Sequence, residues 1–460
     1  MMDRTSAPRH PTGNGRAARP HELYYNTGMR ILMLAPTWPD PPRQGASIRN
    51  LHIALYLAAR HRLTLLAFAQ PGEAMASERL RRVCEHVEVV PQPTRTALQR
   101  LKTLLGSPLP DMAWRLHSEA MSRRVGALCS RVPFDAVHVE GIEMAPFGLT
   151  AVQLPPFINP RNPRARAWMT YDAHNAEYVL QRRAFTTDVR ALRHPRRWLA
   201  AVYSLIQWWR LWRFERHVCL SSRHILAVSD ADRAALERLS PSLRGRVGVL
   251  PNGVDPDYWS REAVAHRAVE QQVGHFAVAA GASSEPADLV VFDGTMDFRP
   301  NVDAVVWFAH KVWPLVRVER PPAHFFIVGR HPTPQVQALG DLPGITVTGA
   351  VDDVRPYVAA AKVYVVPVRV GGGTRLKLLQ AMAMGCAIVS TSVGAEGVQV
   401  EHGRHLLIAD APQQFAQAVL SLLSDEARRQ SLGMAARRLV TTRYTWQKLL
   451  PTLDAIYPPD

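Results

Sequence analysis

Apolar and polar positions divide the chain into two kinds of stretch. Short runs that are almost wholly apolar, at 30–34, 63–67, 87–90, 136–139, 168–172, 225–229 and 247–250, predict strands buried on both faces. Between them lie segments whose apolar residues recur at helical spacing, as at 47–59 and 198–219. The strand–helix–strand order from 30 to 67 is a βαβ unit, which opens a parallel, doubly wound sheet. A second series follows, with strands at 289–292, 325–328, 345–347, 363–366 and 387–390 and helices at 302–318, 412–423 and 426–440. At 460 residues the chain holds two such α/β domains, each with its own core. Residues 1–28, rich in Pro, Gly, Arg and Asn, are expected to be a disordered tail, and the Ala-, Gly- and Ser-rich stretch 261–286 a surface insertion.

One stretch carries the chemistry. Residues 363–398 read VYVVPVRVGGGTRLKLLQAMAMGCAIVSTSVGAEGV. The strand stops at Pro367, three glycines (Gly371, Gly372, Gly373) turn the chain, and Thr374 is placed to cap a helix with apolar positions Leu376, Leu379, Ala383 and Met384. A helix N-terminus with free N–H groups, reinforced by Arg375 and Lys377 in its first turn, favours an anion, and phosphate is the obvious candidate. The plain alternative is that the glycines only reverse the chain. Neither the Gly-Lys-Ser/Thr of a P-loop nor the dinucleotide fingerprint is present.

In its particulars the stretch resembles the nucleotide-sugar site of the retaining GT-B glycosyltransferases of family 4, in the subgroup that reads GGGTRLKxLEAMAxGxPVVST followed by GxEG. The matching residues are Gly371 to Lys377, Ala381 to Ala383, Gly385, Val389 to Thr391, Gly394, Glu396 and Gly397. A D-x-H-N-x-E run (Asp172 to Glu177) and an LPNGVD run (Leu250 to Asp255) are further signatures. The resemblance implies two Rossmann-like domains facing a cleft. The first, 29–255, lies on the acceptor side; the second, 256–440, binds the nucleotide sugar; residues 441–460 form a terminal helix returning to the first. It further implies transfer of a sugar from a nucleotide diphosphate to a hydroxyl, with retention. Lys377 and Arg375 would stabilise charge on the departing phosphate, and His174 would line the cleft beside the sugar. Gly45, Arg299, Gly372, Gly373, Thr374 and Gln380 would contact the donor, and 349–354 would seat the nucleobase. The family usually has a lysine where this chain has Asn301, and a glutamate, holding the ribose, where it has Gln380. A different class therefore stays open: a donor-binding scaffold with weak activity, or a GT-B epimerase. No metal or cofactor is expected; the nucleotide sugar enters as substrate.

Charge adds a partner. Of 55 basic and 39 acidic residues, positions 1–250 hold 36 and 19, leaving 19 and 20 for 251–460, so the surplus belongs wholly to the first half. Nine arginines and four tryptophans crowd 182–216 against Asp188 and Glu215. A helix there would place Leu205, Trp208, Trp209 and Trp212 on one broad face bordered by arginines, as in an interfacial membrane helix; the competing reading packs the tryptophans inward. No RNA-binding module pattern appears, so nucleic acid is not expected as a partner. The expected acceptor is a glycan or a lipid-linked glycan. The four cysteines form no CxxC, and no run reaches the apolar length of a membrane span. The expected place is the cytoplasm, with the inner membrane face as a peripheral site.

Overall fold

The computed structural model describes residues 28–42, 45–70, 78–154, 167–190, 195–264 and 288–459. The expected N-terminal tail and most of the expected insertion lie outside the described residues.

Seven strands, β1 (Arg30–Ala35), β2 (Arg62–Ala69), β3 (His86–Pro91), β4 (Ala136–Glu140), β5 (Trp168–Ala173), β6 (His224–Ala227) and β7 (Val247–Val249), form one sheet in the order β3-β2-β1-β4-β5-β6-β7. Six more, β8 (Leu289–Asp293), β9 (His324–Val328), β10 (Ile345–Gly349), β11 (Val363–Val366), β12 (Ile388–Ser390) and β13 (Leu407–Ile408), form a second in the order β10-β9-β8-β11-β12-β13. The strand pairs within both sheets are parallel. Strands covered on both faces need apolar residues at consecutive positions, and Ile31 to Ala35 and Val363 to Val366 are fully buried. Strand order reverses between β1 and β4 in one sheet and between β8 and β11 in the other. At such a point the crossovers diverge and leave a crevice beyond the carboxyl ends of the strands.

The helices of the two domains include α1 (Gly45–Ala58), α2 (Ala97–Gly106), α3 (Asp111–Arg115), α4 (Glu177–Arg190), α5 (Pro195–Ser221), α6 (Arg299–Trp307) and α7 (Leu376–Ala383). The helix expected over 302–318 begins earlier, at Arg299, and passes through a π-turn (Phe308–Val312) before resuming at Trp313. Pro314 has no N–H to return to the carbonyl four residues back, and its ring crowds that carbonyl, so the helix loosens there.

One face of the first sheet is completed by the end of the chain. Trp446, Leu450, Leu453 and Tyr457 share a core with Ile31, Met33 and Leu57. The return is pinned where the Val254 N–H donates to the Tyr444 carbonyl (2.8 Å) and where Trp446 stacks on His52 at 4.6 Å between ring centroids. In place of one helix, this segment is a single turn (Trp446–Leu449) followed by a 3₁₀ stretch (Leu450–Ala455), because Pro451 interrupts the α pattern.

Candidate active site

The glycine turn after β11 leads into α7, and its side chains converge on the end of β8. The Lys377 ammonium donates to the Asp293 carbonyl and to Asn301 Oδ1 (3.1 Å), and lies 3.9 Å from the centre of the Phe292 ring. Asn301 in turn donates to the Thr295 carbonyl (2.9 Å). Gly294, at φ 153°, makes room for this arrangement: a Cβ there would stand 2.6 Å from Lys377 Nζ and 2.7 Å from the Asn301 amide. Burial pushes the Lys377 pKa down to about 8, with Arg375 adding to the fall and Asp293 opposing it. Lys377 is therefore not the exposed residue that a first helical turn implies; its head group is held by backbone and amide oxygens of β8 and α6.

Arg375 sits at the N-cap position of α7, and among the described residues its buried Nε and Nη2 have no hydrogen-bond partner. Burial also lowers its pKa, against the pull of Glu396 and Asp232. Two buried guanidinium donors aimed at no protein acceptor are costly unless an anion meets them.

Across the cleft the first domain supplies His174 and Gly45. His174 follows β5 and shares a proton with Glu140 Oε2 at 2.8 Å; Glu140, at the end of β4, also holds His138 Nε2 at 3.0 Å, and His138 Nδ1 meets the Tyr457 hydroxyl at 2.9 Å. The Asn50 amide also donates to Glu140 Oε2 (2.9 Å) when its nitrogen faces that oxygen. Burial alone would raise the Glu140 carboxyl, but the bonds and charges of the two histidines hold it well below the usual carboxylate range. Burial likewise works against the imidazolium of His174, and Glu140 with Asp172 outweighs it, so the His174 pKa rises.

Beneath this row, Arg49 of α1 forms a fully buried bidentate pair with Asp172 (3.0 and 2.8 Å). Its remaining nitrogen donates to the carbonyls of Leu250 (2.9 Å) and Pro251 (3.3 Å) and to Asn252 Oδ1 (3.3 Å). The LPNGVD run thus serves as the acceptor set of a buried arginine. His138, Glu140 and Asp172 stand close enough to share an ion, but their donor atoms already serve one another, His174 and Arg49.

The two sides touch through the glycine turn. A Cβ on Gly372 would stand 2.7 Å from Leu180, and one on Gly373 would overlap Asn175 Oδ1. A Cβ on Gly45 would reach Leu376 at 3.1 Å, so the first residue of α1 lies against the first residue of α7. Arg183 of α4 reaches the second domain with a bidentate pair to Glu396 (2.9 and 2.8 Å) and a further bond to the Gly371 carbonyl.

The expected site residues thus fall into groups. Lys377, Arg375, Gly372, Gly373, Gly45 and His174 come together. Thr374 is not the helix cap: the cap position is Arg375, and the buried Thr374 hydroxyl donates to the Val228 carbonyl of the first domain (2.9 Å), a tie between domains. Arg299 stands exposed on the first turn of α6, and it is Asn301 that meets Lys377. Gln380 is half-buried on α7, and among the described residues its side chain makes no hydrogen bond. Arg49 and Arg183 gave no sequence signal as site residues, since their partners lie 123 and 213 residues away, whereas Asn301 stands out only as a departure from the family's lysine.

Comparison with known proteins fits this geometry. Residues 43–258 match the model of Glycosyltransferase Family 4, and residues 287–425 that of Glycosyl transferases group 1. A 44.6 kDa uncharacterized protein of the cps region of Klebsiella pneumoniae is 23% identical over 172 residues, covering 36% of this chain and 44% of that protein. A GDP-mannose-dependent alpha-(1-6)-phosphatidylinositol monomannoside mannosyltransferase of Mycobacterium tuberculosis is 30% identical over 119 residues, 24% of this chain and 31% of the relative. The matches thus span less than half the length of these curated relatives. Among solved structures, Anabaena Alr3699/HepE in complex with UDP and glucose superposes with TM-score 0.60 at 14% identity, covering 93% of this chain and 99% of the other. The glycosyltransferase WaaG superposes with TM-score 0.61 at 16% identity, covering 94% and 100%. Such likenesses establish the GT-B fold: two Rossmann-like domains facing a central cleft.

Proposed function

Since the chain belongs to the GT-B glycosyltransferases of family 4, we propose that it moves a sugar from a nucleotide-diphosphate donor to a hydroxyl acceptor with retention of configuration. The observation that carries this reading is the pair of unpartnered, buried Arg375 nitrogens at the N-terminus of α7, beside Lys377 and opposite α1. A diphosphate lying there is met by two helix N-termini and two cations. As the bond from the anomeric carbon to the β-phosphate oxygen breaks, negative charge grows on that oxygen, and groups already fixed around it stabilise the transition state without reorganising. The acceptor hydroxyl bonds to the anomeric carbon on the same face, and its proton passes to the departing phosphate oxygen. His174, oriented by Glu140, donates to the transferred sugar. The Arg183–Glu396 pair ties the first domain to the second beside the glycine turn.

The cps-region relative and the phosphatidylinositol mannoside relative support a place in cell-surface polysaccharide or glycolipid synthesis, with a glycan or lipid-linked acceptor at the inner face of the membrane. Among the described residues no helix is long and apolar enough to cross a membrane.

Release of nucleoside diphosphate from UDP-, GDP- and ADP-sugars, with the anomeric configuration of the product read by NMR, tests the reaction. Lys377→Ala is expected to lower turnover by about two orders of magnitude, the typical effect, ~3 kcal/mol, of losing one donor to developing charge. Unaltered turnover at saturating donor would remove Lys377 from the phosphate site.

A further inference from the structure

We propose that α2 and the outer face of α5 form one docking surface for an anionic lipid bilayer, carried beside the cleft by the α4–α5 hairpin. The proposal deepens the membrane-borne acceptor reading above and rests on it for its purpose.

α5 is apolar on two sides. Ala201, Leu211, Phe214, Val218 and Cys219 are buried toward the core, together with Ser204, Gln207 and Glu215, while Val202, Leu205, Ile206, Trp209 and Trp212 face outward, with Trp209 54% exposed. A helix solvated on its outer face carries polar residues there. Of the tryptophans expected on one face, Trp208 turns inward instead, stacking on Phe185 of α4 at 5.9 Å and packing against the core. The segment thus packs Trp208 inward and leaves Trp209 and Trp212 on its outer side.

α2 repeats the pattern without any buried residue. A capping box between Thr96 and Gln99 fixes its start. Leu98, Leu101 and Leu105 then form a stripe 62%, 51% and 78% exposed. A polar strut ties the two helices: Arg95 pairs with Asp111 at the start of α3 (2.8 Å) and donates to Thr103 of α2 (2.6 Å), and the Asp111 N–H donates to Gln207 of α5 (2.7 Å).

Charge decides the occupant. Arg100 and Lys102 border the leucine stripe, and Arg213 lies 4.8 Å from the centre of the Trp209 ring. α5 carries five arginines and one acid, Glu215, which points inward and accepts from the N–H groups of Glu177 (3.0 Å) and Tyr178 (2.9 Å). An apolar face with a cationic border suits an anionic bilayer, where aromatic and leucine side chains enter the headgroup boundary and arginines meet phosphates. A second copy of the same face would bring like charges together. Leu180 and Arg183 of α4 reach the glycine turn, so the surface is joined to the cleft mouth through one helix.

Co-sedimentation of the full chain with phosphatidylcholine vesicles, with and without phosphatidylglycerol, tests this directly. Binding is expected only with phosphatidylglycerol present, weakening as salt rises. Leu101→Ser with Leu105→Ser, and separately Trp209→Ser, should each weaken it about tenfold or more. The α2 variant changes a helix that buries nothing, so its thermal midpoint should match the natural protein even if Trp209→Ser disturbs packing. Equal binding to both vesicle types, no binding, variants that bind like the natural protein, or a dimer that the variants dissociate would each overturn the proposal. Vesicle binding is measured without donor or acceptor, so a failed transfer reading leaves it intact. Conversely, a failed docking surface leaves transfer to a soluble acceptor intact.

Discussion

An ammonium group held against a carbonyl, an amide oxygen and an aromatic face has exchanged much of its water for fixed dipoles. Lys377 is such a group, and its pKa of about 8 instead of 10.5 follows from that burial. The sign of the consequence is definite. The folded value lies below the unfolded one, so the charged lysine costs stability at pH below about 8, and this cost is relieved as pH rises from about 8 to 10.5. Donor binding runs the other way, since the diphosphate needs the proton: the affinity of the natural protein for nucleoside diphosphate should fall as pH rises through about 8, and Lys377→Arg should move that limb upward. A flat profile from pH 7 to about 9 would show that Lys377 does not meet the phosphate. Gln380 gives a second test at this scale. Glutamate there offers ribose a charged acceptor, worth roughly 1.5–3 kcal/mol against about 1 for an amide, so Gln380→Glu should tighten donor binding about tenfold by calorimetry. Weaker binding of each nucleotide sugar tried would mean the ribose lies elsewhere. Arg375 and Lys377 were legible in the sequence because their motif is contiguous. The partners Asn301 and Glu396 were not legible as such, since what defines them is a contact between distant segments.

For an element, what matters is which face it buries and what it approaches. The glycine turn illustrates both. Gly373 has φ +71° and no space for a Cβ, because Asn175 of the first domain lies against it. Gly373→Ala should therefore part the domains at the turn and weaken donor binding about tenfold or more, for a strain of ~1–3 kcal/mol, while far-UV dichroism stays unchanged. Donor affinity equal to that of the natural protein would mean the two sides need not touch there. Strands β1 to β12 were read from sequence to within about two residues, since burial on both faces leaves an unbroken apolar run, as in β1 and β11, whereas the two-residue β13 was not read. α2 went unread for the opposite reason: a helix with no buried face offers no core-facing signal. Thr374 was misread as a cap because a threonine before a helix fits that role locally, whereas its hydroxyl is drawn to Val228 on the other domain.

At the scale of the whole molecule, two switch points are brought face to face, so that every group placed near the expected diphosphate comes from the carboxyl end of a strand or the start of a helix. Two doubly wound domains were legible from the strand–helix alternation and the length. Their docking was not, because it depends on the Arg183–Glu396 pair, the Thr374 tie and the return of Trp446 to Tyr457 into the first domain's core, all long-range contacts. The central claim is that this junction holds a nucleoside diphosphate on the free donors of Arg375. Titration calorimetry of UDP, GDP and ADP against the natural protein and against Arg375→Met measures it most directly. At least one of the three should bind the natural protein, and Arg375→Met should weaken that binding at least about thirtyfold, the loss of a charge-assisted contact of ~2 kcal/mol. Equal affinity of the two proteins for the diphosphate, or no binding of any of the three to the natural protein, would contradict the account.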